Sequence, residues 1–79
     1  MVTTSKERLG ARLNVARTKR GLTMAALANK ANVSSALIND AEKGRHSPST
    51  DKVEQIARAL EVDPCWLAYG TGNLPEWEK

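Results

Sequence analysis

The chain of 79 residues, 41% hydrophobic and 27% charged, is long enough for one small domain with a core that has little to spare. No apolar run approaches the roughly 18–20 residues that cross a bilayer, the opening MVTTSKERLG is polar where a signal peptide is apolar, and Cys65 stands alone, so neither an internal disulfide nor a cysteine-held zinc is available. The net charge is a modest +3, and the expected location is the reduced cytoplasm.

A first helix is predicted from a cap at Ser5 to about Arg20, with Leu9, Leu13 and Ala16 on one stripe and Gly21 as its stop. Thr23 caps a second helix, Met24–Ala31, in which Leu27 and Ala31 lie four apart. Neither cap has Glu or Gln three residues on, so reciprocal capping boxes are absent. Asn32 tolerates a left-handed turn. Ser34 then caps a third helix, about Ser35–Lys43, with Ile38 and Ala41 on its apolar face, Leu37 at the rim and Gly44 as terminator.

RHSPS at 45–49 is a loop, because Pro48 lacks a donor and restricts its predecessor. A fourth helix covers Asp51–Leu60, burying Val53, Ile56, Ala57 and Leu60. Asp63-Pro64 opens a fifth, with Asp as cap and Pro at the first helical position. It carries Trp66, Leu67 and Tyr69 before Gly70 and Gly72. No segment alternates with a period of two. Helices this short are marginal alone, so the expected fold is all-α: a compact five-helix bundle over residues 1–72, followed at 73–79 by a tail or the start of a linker. Its expected core includes Leu13, Leu27, Val33, Ile38, Ala41, Val53, Ile56, Leu60 and Leu67.

Charge is unevenly distributed. Residues 1–20 set Lys6, Arg8, Arg12, Arg17, Lys19 and Arg20 against Glu7, whereas residues 49–79 set Lys52, Arg58 and Lys79 against six carboxylates. Either this is solvated surface, or a basic side faces an anionic polymer.

Only Asn32, Val33 and Ser34 separate the second and third helices, a link that favours a large crossing angle with Val33 as an apolar pin. On LTMAALANKANVSSALINDAEKG, residues 22–44, the chain resembles the helix-turn-helix of the phage repressor and Cro class, the XRE family. The matching features are Leu22-Thr23, Leu27-Ala28, Asn32-Val33-Ser34, Ile38 and Glu42-Lys43-Gly44. Pro48-Ser49, the IARALEV stretch and DPCWLAYGTG extend the likeness over roughly residues 8–72. Met24 stands where Gln is usual, and Asn32 where Gly is usual.

The resemblance implies a lambda-repressor-like domain whose third helix enters the major groove, with Ser35, Ala36, Asn39 and Asp40 facing the bases. Among these Asn39 can pair with adenine, and Asp40 can accept from cytosine while repelling phosphates. Phosphate contacts are expected from Thr23, Met24, Ser34, Lys43 and Arg45. Arg17 is expected to pair with Glu42, joining the first and third helices, and to approach phosphate as well. The implied partner is an operator in double-stranded DNA, bound by a homodimer that can form on DNA alone, in repression of transcription. Such a protein is cytoplasmic and nucleoid-associated.

Trp66, Tyr69, Leu74 and Trp77 are the candidate dimer contacts. Core packing competes for Trp66, while the polar surroundings of Trp77 give it little core to enter. The alternative reading is a helix-turn-helix fold repurposed as a protein-binding adaptor. An enzyme is not expected: His46 has no partner acid or nucleophile, and no phosphate loop, metal-ligand pattern or cofactor motif is present.

Overall fold

The computed structural model describes residues 5–79, with side chains from Arg8 onward; Ser5, expected as the cap of the first helix, is already its first helical residue. Five α-helices follow one another, α1 Ser5–Lys19, α2 Met24–Ala31, α3 Ser35–Glu42, α4 Thr50–Leu60 and α5 Pro64–Tyr69, and a 3-10 turn spans Glu76–Glu78. The starts of α2 to α5 have a chemical cause. Thr23, Ser34, Ser49 and Asp63 all sit in extended backbone and accept a hydrogen bond from an N–H two or three residues ahead. Ser49 takes this role for α4, which therefore begins at Thr50 rather than Asp51.

The apolar stripes meet in one interior. Leu13, Leu27, Ile38, Ala41, Val53, Ile56, Leu60 and Leu67 are all buried, joined by Leu9, Ala16 and Trp66 and by small residues at the helix crossings, Ala28 and Ala31 among them. Val33 is the exception. It is half-buried, packing against the core from the rim, because its N–H closes the end of α2 on Ala28 O at 2.9 Å and holds it at the corner.

Asn32 takes the left-handed conformation (φ 60°), and so does Glu61 at the end of α4 (φ 58°), where no glycine signals it. A side chain there is strained, whereas glycine is not. Glu61→Gly is therefore expected to raise stability by about 0.5 kcal/mol after glycine's own entropy is subtracted; urea denaturation checks it, and a loss of stability would contradict the strain.

Arg12 of α1 and Arg20, just past its end, fasten distant helix ends. Arg12 donates to Leu67 O (2.9 Å) and Ala68 O (2.7 Å), and Arg20 donates to Leu60 O (2.8 Å) and Glu61 O (3.1 Å). Each thus fills carbonyls left open where α5 and α4 stop, with a cation at the negative end of the dipole. Part of the basic character of residues 8–20 is therefore spent on helix ends within the fold.

The closing residues pack onto the bundle instead of trailing from it. Pro75 is buried, Glu76 pairs with Arg20 at 2.7 Å, and Trp77 meets Trp66 edge to face at 5.9 Å with the Arg20 guanidinium 5.0 Å above its ring. The core that Trp77 lacks in sequence is supplied by Trp66, which is itself only 2% exposed. That burial removes Trp66 from the surface, correcting its candidacy as a dimer contact.

Asp63 ties the same segment to α5, accepting from Asn73 N (3.0 Å) and Cys65 N (2.7 Å). The Asn73 bond first, then that from Cys65, holds its carboxyl below the ordinary aspartate range. A carboxyl depressed in the folded state contributes stability above its unfolded pKa and loses it as pH falls through the folded one. The Asp63→Asn variant should be less stable at neutral pH yet lose less than the parent between about pH 5 and about pH 2, as read from melting temperatures. Parallel curves would refute this role.

Candidate nucleic-acid interface

The α2–α3 corner presents two capped helix starts. Thr23 Oγ1 accepts from Ala26 N at 3.0 Å and Ser34 Oγ from Leu37 N at 3.1 Å. Because both hydroxyls accept here, their protons stay available for an outside acceptor. The helical ladders begin at Leu27 and Ile38, so the first N–H groups of each helix, those of Met24, Ala25, Ser35 and Ala36, point out unpaired within it, at the positive end of the dipole. Two donor-rich ends on one corner suit a chain of phosphates.

Burial of Ile38 and Ala41 fixes the rotation of α3. Ser35 and Ala36 are then exposed, and Asn39 and Asp40 half-exposed. The Asn39 side-chain amide makes no hydrogen bond with the described residues, leaving its acceptor and donors for an outside partner. Asp40 is less isolated than its sequence neighbours suggest, since Arg45 Nη1 lies 4.0 Å from its Oδ1, both side chains being largely solvated. Lys43 is exposed, while Met24 is half-buried and packs on the core.

Arg17 and Glu42 make a two-point contact, Nε to Oε2 at 2.6 Å and Nη2 to Oε1 at 3.1 Å. Their side chains are 15% and 4% exposed. Nη1 donates to Leu22 O at 2.9 Å, so one guanidinium joins α1, the α1–α2 link and the end of α3. Its hydrogen bond to Glu42 raises the Arg17 pKa further above the ordinary arginine value. With the side chain 15% exposed, little of the Arg17 guanidinium is left to meet a phosphate.

Two participants escape a reading of the sequence. Asn14 donates its Nδ2 to Glu42 Oε1 at 2.9 Å, and Gly10 lets the backbone of α1 approach the last turn of α3. The only available signal is that Gly10, Asn14 and Arg17 stand at helical spacing.

Residues 8–68 match a protein family described as a helix-turn-helix domain. The chain belongs to the helix-turn-helix domain family. It is related within that family to the XRE-type phage repressors. The immunity repressor protein of Bacillus phage phi105 is 39% identical over 54 residues, which are 68% of this chain and 38% of that repressor, so the helix-turn-helix chain spans well under half of that relative.

Among solved structures, the restriction-modification controller protein C.AhdI from Aeromonas hydrophila is similar with a TM-score of 0.76 and 27% identity, covering 78% of this chain and 94% of that one. The P22 c2 repressor in complex with a synthetic operator is similar at 0.75 and 27%, over 80% of this chain and 96% of that one. The clp gene regulator ClgR from Corynebacterium glutamicum matches at 0.78 and 28%, over 82% and 69% respectively. Regulators of this class are non-catalytic, and among the described residues no group of three His, Cys, Asp or Glu side chains is placed to hold a metal. No described helix is long and apolar enough to cross a membrane.

Proposed function

We propose that this helix-turn-helix domain binds an operator in double-stranded DNA, sequence-specifically and as a homodimer, and represses transcription there. The observation that carries the reading is the α2–α3 corner, where outward donors at two helix starts flank an exposed face of Ser35, Ala36, Asn39 and Asp40. Small side chains let α3 enter deeply, with Asn39 as the principal base reader and fit, water and DNA shape contributing the rest. Thr23, Ser34, Lys43 and Arg45 hold phosphates, Met24 lies against the sugar-phosphate flank, and Arg17 mainly fixes the angle of α3. Such contacts position the helix without reading sequence. The relatives named above, one of them bound to an operator, support this reading. A cytoplasmic, nucleoid-associated location goes with it.

One α3 spans only a few base pairs, and two copies related by symmetry extend the site. Tyr69, 77% exposed, forms part of the wall of a mostly apolar groove of about 220 Å³, lined also by Leu9, Pro48, Val53, Cys65 and Ala68 with Glu54 at its side. A protruding ring beside a hollow suits an isologous contact, to which Leu74, 42% exposed, can add. The patch holds far fewer than the roughly 20–30 residues a side of a stable interface, so the dimer forms on DNA. Trp77, held by Trp66 and Arg20, contributes only an edge.

Selection of bound duplexes from a random pool by the purified protein tests the function, followed by sedimentation with and without the selected duplex. The expected result is a two-fold symmetric site, a monomeric free protein and two copies per duplex. One copy per duplex would reject the dimer, and failure to select any sequence would favour the adaptor reading.

A further inference from the structure

We infer that Gly10 and Asn14 are positioning residues for base recognition, acting through the last turn of α3; this rests on the DNA-reading function proposed above. With Arg17 they occupy positions four and three residues apart along α1, one stripe on one face of that helix. All three meet the same short segment. Arg17 and Asn14 hold the two carboxylate oxygens of Glu42, and the Gly10 backbone lies against Ala41 and Glu42.

The closeness at Gly10 is what gives the stripe control of geometry. A Cβ built there would stand 2.5 Å from Ala41 O and 2.7 Å from Glu42 O. Those are backbone oxygens, so no rotamer can relieve the clash. Carbon and oxygen in contact settle at about 3.3–3.6 Å, which requires the end of α3 to retreat by about 0.8–1.1 Å. The start of α3 is held separately, by the Ser34 cap and the packing of α2. Eight residues make a helix of about 12 Å, so displacement of one end alone tilts it by about 5°. Asn39 lies two residues from Ala41, next to the displaced end, whereas Ser35 lies near the fixed one. Recognition geometry tolerates about 0.5 Å, so Asn39 loses its alignment first. Asn14 acts more gently: without its hydrogen bond, Glu42 keeps Arg17 on both oxygens and loses only the second donor on Oε1.

The test compares Gly10→Ala, Asn14→Ala and a control, Ala11→Gly, which weakens α1 at an exposed position. Affinity for the selected duplex and for a scrambled one is measured by fluorescence anisotropy at matched salt, on protein shown to be folded by its melting curve. The specific-to-scrambled ratio should fall about tenfold for Gly10→Ala and about threefold for Asn14→Ala, the scale of one misaligned base contact, and stay at the parent value for Ala11→Gly. In base-substituted duplexes, the preference lost should be that for the base pair also lost in Asn39→Ala. A purely structural role would change stability alone and leave the ratio at the parent value, which would overturn the inference, as would an equal loss on both duplexes. If Gly10→Ala does not fold, Asn14→Ala decides alone, because it removes an exposed side chain and introduces a stronger helix former. A parent protein with no preferred duplex would instead reject the DNA reading itself and the inference with it.

Discussion

Replacing Arg17 by Met while leaving Glu42 in place should lower stability by about 3–5 kcal/mol, the cost of stranding a buried charge. Glu42 is 4% exposed and is approached by Arg17 on both oxygens, so removing the guanidinium leaves it only the neutral Asn14 donor. That surviving bond puts the loss toward the lower end. A domain of this size holds about 4–12 kcal/mol in all, so the melting temperature should fall by at least about 12 °C. The double variant Arg17→Met/Glu42→Leu should recover most of the loss, since an apolar pair of similar volume often replaces a buried ion pair at little cost. By contrast, the pair between Arg20 and Glu76, with Glu76 67% exposed, belongs to the class worth under about 1 kcal/mol and weakened by salt. Thermal melts at low and high salt separate the two. Failure of Arg17→Met to shift the melt by more than an exposed pair would show that Glu42 is solvated in the folded protein.

The parts of this structure legible in the sequence are those decided by neighbours in the chain. A cap needs one hydroxyl or carboxylate beside a helix start, and Thr23, Ser34 and Asp63 supply it. A buried face needs apolar residues at helical spacing, and Ile38 with Ala41 sets the rotation of α3 and thereby the outward position of Asn39. What escapes is decided by residues far apart. Gly10 reads only as a weak point in a helix, because the carbonyls that would strike its Cβ come from more than 30 positions later. Arg12 and Arg20 read as free field charges, because the open carbonyls they fill belong to α5 and α4. Trp77 reads as stranded in a polar tail, because its packing partner, Trp66, sits in a helix that a sequence reading can equally turn outward. Glu61 in a left-handed conformation carries no local signal, and its strain is borne by the packing of the helices on either side.

Base reading itself predicts two opposite results from adjacent residues. Replacing Asn39 by Ala should weaken binding to the selected duplex by about 1–3 kcal/mol, the value of one good bidentate contact with adenine. Binding to scrambled DNA should change little, because the phosphate contacts proposed for Thr23, Ser34, Lys43 and Arg45 are untouched. The substitution is benign to the fold, since the Asn39 side chain makes no hydrogen bond with the described residues and Ala is the better helix former. On the proposed reading, Asp40→Asn should strengthen binding to both duplexes by removing a negative charge near the phosphates, and shift preference at a cytosine it would have accepted from. The gain should be small at low salt and smaller at high salt, because Arg45 already stands 4.0 Å from the carboxylate and solvent screens both. Fluorescence anisotropy across a salt series resolves the two, since neutralising Asp40 acts on the electrostatic part of the affinity and removing Asn39 does not. An Asn39→Ala protein that stays folded and loses the same affinity on both duplexes would place Asn39 on the backbone rather than in the groove, and the rotation of α3 relative to DNA would have to be redrawn around Ser35 and Ala36.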